Sequence, residues 1–322
     1  MQEFNYRDKF IILDGHAIIY RAYHALKELT DPKGKPINAV YGFARILLKV
    51  IDDYSPKYIA VTFDHKNGKS KRVADFKEYK AQRPPMPDDL IPQIQIIKNL
   101  VSAFNIPQFE LDGFEADDLL GTISKKMEKQ SEVLTVIVTG DKDILQLVKD
   151  DKTHVFIPGR GRFSRDKEYD ESAVVEKLGV RPDQVPDLKA LMGDPSDNIP
   201  GVKGIGVKTA TKLIQEFDTL ENVYSIVEKL NIEQEEGIKS IHPLLKGATL
   251  KKLFLDKEMA FLSQNLATIT CNAPVKFELE ACVTKDYDKH KVTDLFELYQ
   301  FNSLKSMLPK DKFEESIQEA LF

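Results

Sequence analysis

Three short apolar runs, two ending in aspartate and the third followed by one after a single glycine, constrain this chain more than any other feature. They are KFIILD at 9–14, YIAVTFD at 58–64 and VLTVIVT at 133–139, the last followed by Gly140, Asp141 and Asp143. Runs this short and this uniformly apolar fit strands buried on both faces. Helical patterning follows the first run from Ala17 to Leu29. After a turn at 30–36 (TDPKGKP), it resumes from a cap at Asn38 to about Tyr54. Strand–helix alternation implies a parallel or mostly parallel α/β sheet. Ligands of such sheets collect beyond the carboxyl ends of the strands, and Asp14, Asp64 and Asp141 all fall on that edge.

From about residue 170 the pattern turns helical, with segments expected at 170–178, 183–192, 207–216, 219–229 and 245–262. Residues 263–285 read as irregular or short strands and 290–308 as helical. The expected organisation is an α/β domain over 1–175 and a helical subdomain over 176–322.

Acidic residues gather at the ends of these elements. Besides Asp14 and Asp64, there are Glu115, Asp117 and Asp118 in GFEADDLLGTI, Asp141 and Asp143 in TGDKD, and Asp194 and Asp197 in LMGDPSDNIPG. Any one group has a bland reading: an acid after a strand caps a helix, acids in a first helical turn favour its dipole, and Asp in a loop makes a turn. The set is harder to dismiss, because its strand-end members converge on one sheet edge. Like charges that close repel by several kcal/mol at intermediate dielectric. Hard divalent cations with oxygen ligands are the natural neutraliser. Nine such acids suit two or more ions, the usual apparatus for in-line cleavage of a phosphodiester.

The chain's net charge of −5 conceals two basic segments. Residues 65–83 hold seven Lys or Arg against two acids, a local charge of +5, with Phe76 and Tyr79 interleaved. Placed directly after Asp64, this stretch reads as a basic gate over the acidic edge rather than a plain solvated loop, and its aromatics could stack on bases. Residues 201–212 (GVKGIGVKTATK) hold three lysines and no acid. Their glycines expose backbone N–H groups just before a helix, which suits phosphate contact without sequence preference.

Other classes are disfavoured. No apolar run approaches the roughly 18 residues of a membrane span, and Met1 to Lys9 lack the apolar core of a secretory signal. Two cysteines, Cys271 and Cys282, suit reduced thiols in a cytosol better than a disulfide, and no second pair or nearby His completes a zinc site.

These segments together resemble the bacterial 5′–3′ exonuclease of the DNA polymerase I type, within the flap endonuclease family. The resemblance rests on LDGHAIIYRAYHAL, NAVYGFARIL, VTFD, EYKAQRPPMPDDL, GFEADDLLGTI, VTGDKDILQLV and LKALMGDPSDNIPGVKGIGVKTATKLI, with LATITCNAPVKFEL a looser match. They span nearly the whole chain in family order. The resemblance implies a mostly parallel, resolvase-like or PIN-like α/β fold, a helical arch over about 65–100 and a helix–hairpin–helix at 201–216. It implies Asp14, Asp64, Glu115 and Asp117 as ligands of a first Mg²⁺ or Mn²⁺ ion. Asp141, Asp143 and Asp197 would hold a second, with Asp118 and Asp194 acting through water. Arg72, Lys80 and Arg83 would meet the scissile phosphate. Tyr20, Arg21 and Tyr79, with Lys203, Gly204, Gly206, Lys208 and Thr209 of the hairpin, would contact DNA, and K⁺ could sit at the hairpin. The family arch usually reads threonine-phenylalanine-arginine-histidine, whereas Ser70-Lys71-Arg72-Val73 stands here and keeps only the arginine.

The expected activity is hydrolysis of DNA at 5′ ends and 5′ flaps, in RNA primer removal and repair, by a monomer in the bacterial cytosol. A DNA polymerase domain or protein is the expected partner. The rivals are a non-catalytic binder of branched DNA and an RNA-cutting PIN-type nuclease.

Overall fold

The computed structural model describes residues 8–26, 29–159, 164–235 and 242–310. Within them the N-terminal half alternates as the apolar runs require. Strand β1 (Asp8–Asp14) leads into α1 (Gly15–Ala25) and α2 (Asn38–Tyr54), then β2 (Tyr58–Thr62), α3 (Ser70–Asp75), α4 (Ile91–Ala103) and β3 (Gln108–Phe109). Next come α5 (Ala116–Met127), β4 (Val133–Val138), β5 (Thr153–Ile157) and β6 (Lys167–Tyr169). The strands form one sheet in the order β3-β2-β1-β4-β5-β6. All neighbours pair in parallel except β6, which runs antiparallel to β5 along the edge.

Both faces of the sheet are covered, which explains the apolar runs of its central strands β1, β2 and β4. In β1, Phe10 and Ile12 enter one core while Ile11 and Leu13 enter the other. The second core is filled by α1, α2, α4 and the late helix α12 (Lys289–Leu298). The first is filled by α5 and by the helices that follow the sheet: α6 (Glu171–Leu178), α7 (Val185–Met192), α8 (Val207–Phe217), α9 (Leu220–Glu235) and α10 (Gly247–Leu255). The chain continues through α11 (Lys257–Ala267), and α13 (Asn302–Lys305) follows α12.

Several expectations need correction. The single helix expected over 245–262 is two, because Asp256 leaves the helical conformation (φ −104°, ψ 22°) between α10 and α11. Asn38 is the first residue of α2 and not its cap; its side chain donates instead to the Tyr23 carbonyl at 2.7 Å. The helix expected to reach Leu29 ends at Ala25, and residues 27–28 lie outside the described part. Of the 65–100 segment, only Ser70–Asp75 forms a helix before Ile91, and α4 belongs to the core through Ile97 and Leu100. No helix among the described residues is long and apolar enough to cross a membrane.

Candidate active site

The strand order reverses around β1. The chain moves outward through β2 and β3, then returns to the other side of β1 with β4. The carboxyl ends of β1 and β4 therefore flank the switch point, where the sheet opens a crevice. Asp14, the last residue of β1, caps α1 by accepting from the Ala17 N–H at 3.1 Å. Thr139, just past β4, donates its hydroxyl to Asp14 Oδ2 at 2.8 Å and also accepts from the Asp141 N–H at 3.0 Å. The bland capping role and the edge placement thus hold together for Asp14. Its side chain is only 6% exposed. Burial, followed by the charges of Asp64 and Asp141, pushes its carboxyl up to about 7, against hydrogen bonds from Ala17 and Thr139 that pull it down.

Asp64 lies two residues beyond β2. Its Oδ1 accepts from the Ala116 N–H at 2.7 Å, and its own N–H donates to His16 Nδ1 at 2.9 Å. His16 is buried edge-on against Phe63, and burial holds its pKa below the ordinary value. Its Nδ1 must be the unprotonated nitrogen to accept that bond. Nothing in the sequence singled out His16, whose partner lies just past the next strand.

The start of α5 supplies the next group. Glu115 caps the helix in a reciprocal capping box with Asp118. Arg72, on α3, donates to Glu115 Oε1 at 3.2 Å, to Asp118 Oδ2 at 3.1 Å, to Asp118 Oδ1 at 2.8 Å and to the Thr268 carbonyl at 3.2 Å. Asp118 also accepts from the N–H groups of Glu115 and Thr270 at 3.2 and 2.9 Å. Its oxygens are saturated within the protein, so Asp118 anchors Arg72 and is not an open ligand. Asp117 sits 3.9 Å from Arg72 Nη1, and burial raises its carboxyl well above the usual range, against the opposing pull of Arg72.

The remaining acids come from the β4 turn and the loop after α7. Lys189, buried on α7, bonds both Asp143 and Asp194, the latter at 2.6 Å. Burial and Asp141 push Asp143 up to about 6 despite Lys189, whereas Lys189 and Ser196 outweigh burial and hold Asp194 low. Asp197 accepts from Arg83 and lies 3.7 Å from Lys80 Nζ, which itself bonds Glu115. Lys80 has a left-handed φ of 52°, and its N–H donates to the Asp197 carbonyl at 2.9 Å. The Asp194–Asp197 turn is closed by two left-handed glycines. A Cβ on Gly201 (φ 62°) would stand 2.2 Å from the Gly193 nitrogen, so the close approach admits no side chain there.

The structure thus brings Arg72, Lys80 and Arg83 onto the acidic edge, each against a carboxylate. Tyr79 departs from the sequence reading. It is 2% exposed, packed with Ile199, Leu266 and Ala267, and cannot stack on a base from that position. The ring holds the basic segment down and lies 4.9 Å beneath Lys80 Nζ. Tyr20 and Arg21 line a cleft of about 580 Å³ that also reaches Arg83, Gly140 and Asp141. Gly206 precedes α8 in extended conformation with open space around it, and Lys208, the second residue of α8, is exposed. The Lys203 N–H is taken by Asp256 at 2.8 Å, and Lys252 donates to the Gly204 carbonyl at 3.0 Å. Thr209 is half-buried in the first turn of α8.

A divalent cation fits this edge by donor chemistry and by charge. The side chains offered are carboxylates, and burial holds those of Asp14, Asp117 and Asp143 above the usual carboxylate range, a shift that a bound cation would oppose. Among the described residues, however, no three His, Cys, Asp or Glu side chains stand together as a ready ligand set. Lysine and arginine occupy the carboxylates instead.

Acids massed at the switch point of a parallel sheet, faced by buried basic side chains, define a resolvase-like class of α/β protein. Residues 9–179 match the 5′-3′ exonuclease N-terminal resolvase-like domain, and residues 180–290 match the 5′-3′ exonuclease C-terminal SAM fold. The chain belongs to the 5′-3′ exonuclease family. It is 42% identical over 298 residues to DNA polymerase I of Caldicellulosiruptor bescii and 38% identical over 317 residues to DNA polymerase I of Bacillus subtilis. These alignments cover 92% and 98% of this chain but only 33% and 34% of those proteins, so the chain spans about a third of the relatives' length. In fold it is similar to the T5 D15 protein co-crystallized with metal ions (TM-score 0.63, 21% identity, 90% of this chain and 99% of that one). It is also similar to the catalytic core of Rad2 in complex with DNA substrate (TM-score 0.62, 19% identity, 94% and 93%).

Proposed function

We propose that this chain is a metal-dependent 5′ nuclease that hydrolyses DNA phosphodiesters at free 5′ ends and 5′ flaps. The observation that carries the reading is the row of buried carboxylates along the switch-point edge, Asp14, Glu115 and Asp197, faced by Arg72, Lys80 and Arg83. Family membership and a T5 relative crystallised with metal ions support it. Asp14, Asp64, Glu115 and Asp117 would hold one Mg²⁺ or Mn²⁺, and Asp141, Asp143 and Asp197 a second, with Asp194 acting through water. Bound there, such ions supply an activated water and charge stabilisation at the scissile phosphate. The protein's part is positional. His16 and Ala116 fix Asp64, Thr139 fixes Asp14, and Lys189 keeps Asp143 and Asp194 in register. Lys80 and Arg83, freed from Glu115 and Asp197, would turn to the substrate phosphate. The exposed N-terminal turn of α8, with Lys203 and Lys208, would grip duplex phosphates, with K⁺ bound at the hairpin. Removal of RNA primers and flaps beside a DNA polymerase, in the bacterial cytosol, is the role this reading assigns.

A labelled 5′-flap duplex tests it. Mg²⁺-dependent release of the flap near the junction is the expected result, and Asp143→Ala should abolish cleavage while sparing DNA binding. A second reading, a non-catalytic binder of branched DNA, draws on the carboxylates being held by basic side chains and not assembled as a ligand set. Tight flap binding with no cleavage in Mg²⁺ or Mn²⁺ would select it.

A further inference from the structure

Beside the acidic edge, α1 and α2 meet Pro158, Gly159 and residues 164–166 around a second concavity of about 690 Å³. That volume lies within the roughly 300–1,000 Å³ of small-molecule sites. One wall is apolar, with Ala22, Ala25, Leu26 and Ile46. Among the described residues the rim carries Arg21, Arg45, Lys49 and Arg165 against one carboxylate, Asp166, a surplus of three positive charges. Two of these cations are engaged: Lys49 bonds Asp53 at 2.6 Å and reaches Asp166 at 3.3 Å, and Arg21 donates to the Pro158 carbonyl. Arg45 and Arg165 are exposed, and neither has an ion pair among the described residues.

Another cavity of the same molecule sharpens the contrast. The space of about 600 Å³ between α5 and the start of the helical half sets Lys125, Lys149 and Arg181 against Glu128, Glu171 and Asp183, so its charges balance. Nothing there selects an anion. The cavity at Arg45 combines an apolar wall with two guanidinium groups that have no ion pair among the described residues, and their planar fork suits phosphate oxygens. It also shares Arg21, His24 and Ala25 with the cleft that reaches Gly140 and Asp141. A strand or fragment passing the carboxylates along that cleft meets this cavity next.

We propose that the cavity binds a nucleoside 5′-phosphate unit, with its base against Leu26 and Ile46 and its phosphate on Arg45 and Arg165. The inference rests on the nuclease reading. The unit has two sources, a nucleotide still within a strand or a mononucleotide released by cleavage.

Two measurements on the full chain separate them. Calorimetry with deoxyadenosine 5′-monophosphate probes the released form. Fluorescence anisotropy with a 5′-flap duplex at several salt concentrations, with Ca²⁺ in place of Mg²⁺, probes the strand. Each compares the wild type with Arg45→Ala/Arg165→Ala, two exposed positions, after circular dichroism has verified the variant's fold. Saturable mononucleotide binding, weakened at least about tenfold in the variant, supports the released form. No mononucleotide binding, but DNA affinity lower by about tenfold with a salt slope shallower by about two, supports the strand. A wild type that cleaves flap DNA, matched by the variant in both binding measurements, overturns this inference and leaves the nuclease reading intact. A wild type inert on flap DNA in Mg²⁺ overturns the nuclease reading, and this inference with it.

Discussion

Asp14 holds a carboxyl at the end of β1 with no basic side chain paired to it among the described residues, and that has a measurable consequence for folding. Its pKa is raised from 3.8 to about 7 in the folded chain. Between those values the native state keeps a proton that the unfolded chain has lost, so this group's contribution to stability falls as pH rises from about 4 to about 7. A divalent cation bound at the edge removes that deficit. The rise in melting temperature on adding millimolar Mg²⁺ should therefore be larger at pH 8 than at pH 5; equal shifts would count against a cation at Asp14. Asp118 makes the opposite case, because its oxygens are fully bonded to Arg72 and backbone. Asp118→Ala leaves a buried guanidinium short of its partner and should cost about 3 kcal/mol or more in urea unfolding. A loss under 1 kcal/mol would mean that Arg72 finds compensation in Glu115.

At the scale of elements, the loop from Gly193 to Gly206 couples the acidic turn to the basic hairpin. Gly201→Ala combines a left-handed φ with a clash against the Gly193 backbone. It should cost more than about 2 kcal/mol and lower Tm; an unchanged Tm would show that the turn can open without cost. This is also the scale at which sequence reading succeeded and failed. Strands β1, β2 and β4 were legible because burial on both faces leaves an unbroken apolar run, and their aspartates followed from the chain direction. Strand β3 has two residues and β6 three, too few to carry a period. Asp256 broke an amphipathic pattern that continues on both sides of it. Among site residues, acids clustered in sequence were readable. Lys189 and His16 were not, because the carboxylates they serve come from other elements. Tyr79, set between lysines, looked exposed, and only tertiary packing against Ile199 and Leu266 places it inside.

At the scale of the whole molecule, one core runs through both halves. Phe10, Ile12, Val133 and Ile137 of the sheet share a continuous apolar cluster with Leu213, Tyr224 and Leu250 of the later helices. Polar links cross at the same seam, where Ala273 donates to Thr122 and Ile269 to Gln146, both at 2.9 Å. Such a shared interior should melt in one calorimetric transition, with van't Hoff and calorimetric enthalpies in agreement; two resolved transitions would contradict it. The seam also carries Arg72, tied at once to Asp118 and to the Thr268 carbonyl. With Lys80, Arg83 and Lys189 it gives the acidic edge a set of built-in counterions. On the proposed reading the edge works as an ion-exchange resin does. Divalent ions enter by displacing side chains that are already positive, and the displaced groups become free to receive the next anion. Turning the protein on then relocates charge without accumulating it, so the chain can wait for metal and substrate with its most repulsive surface already quiet.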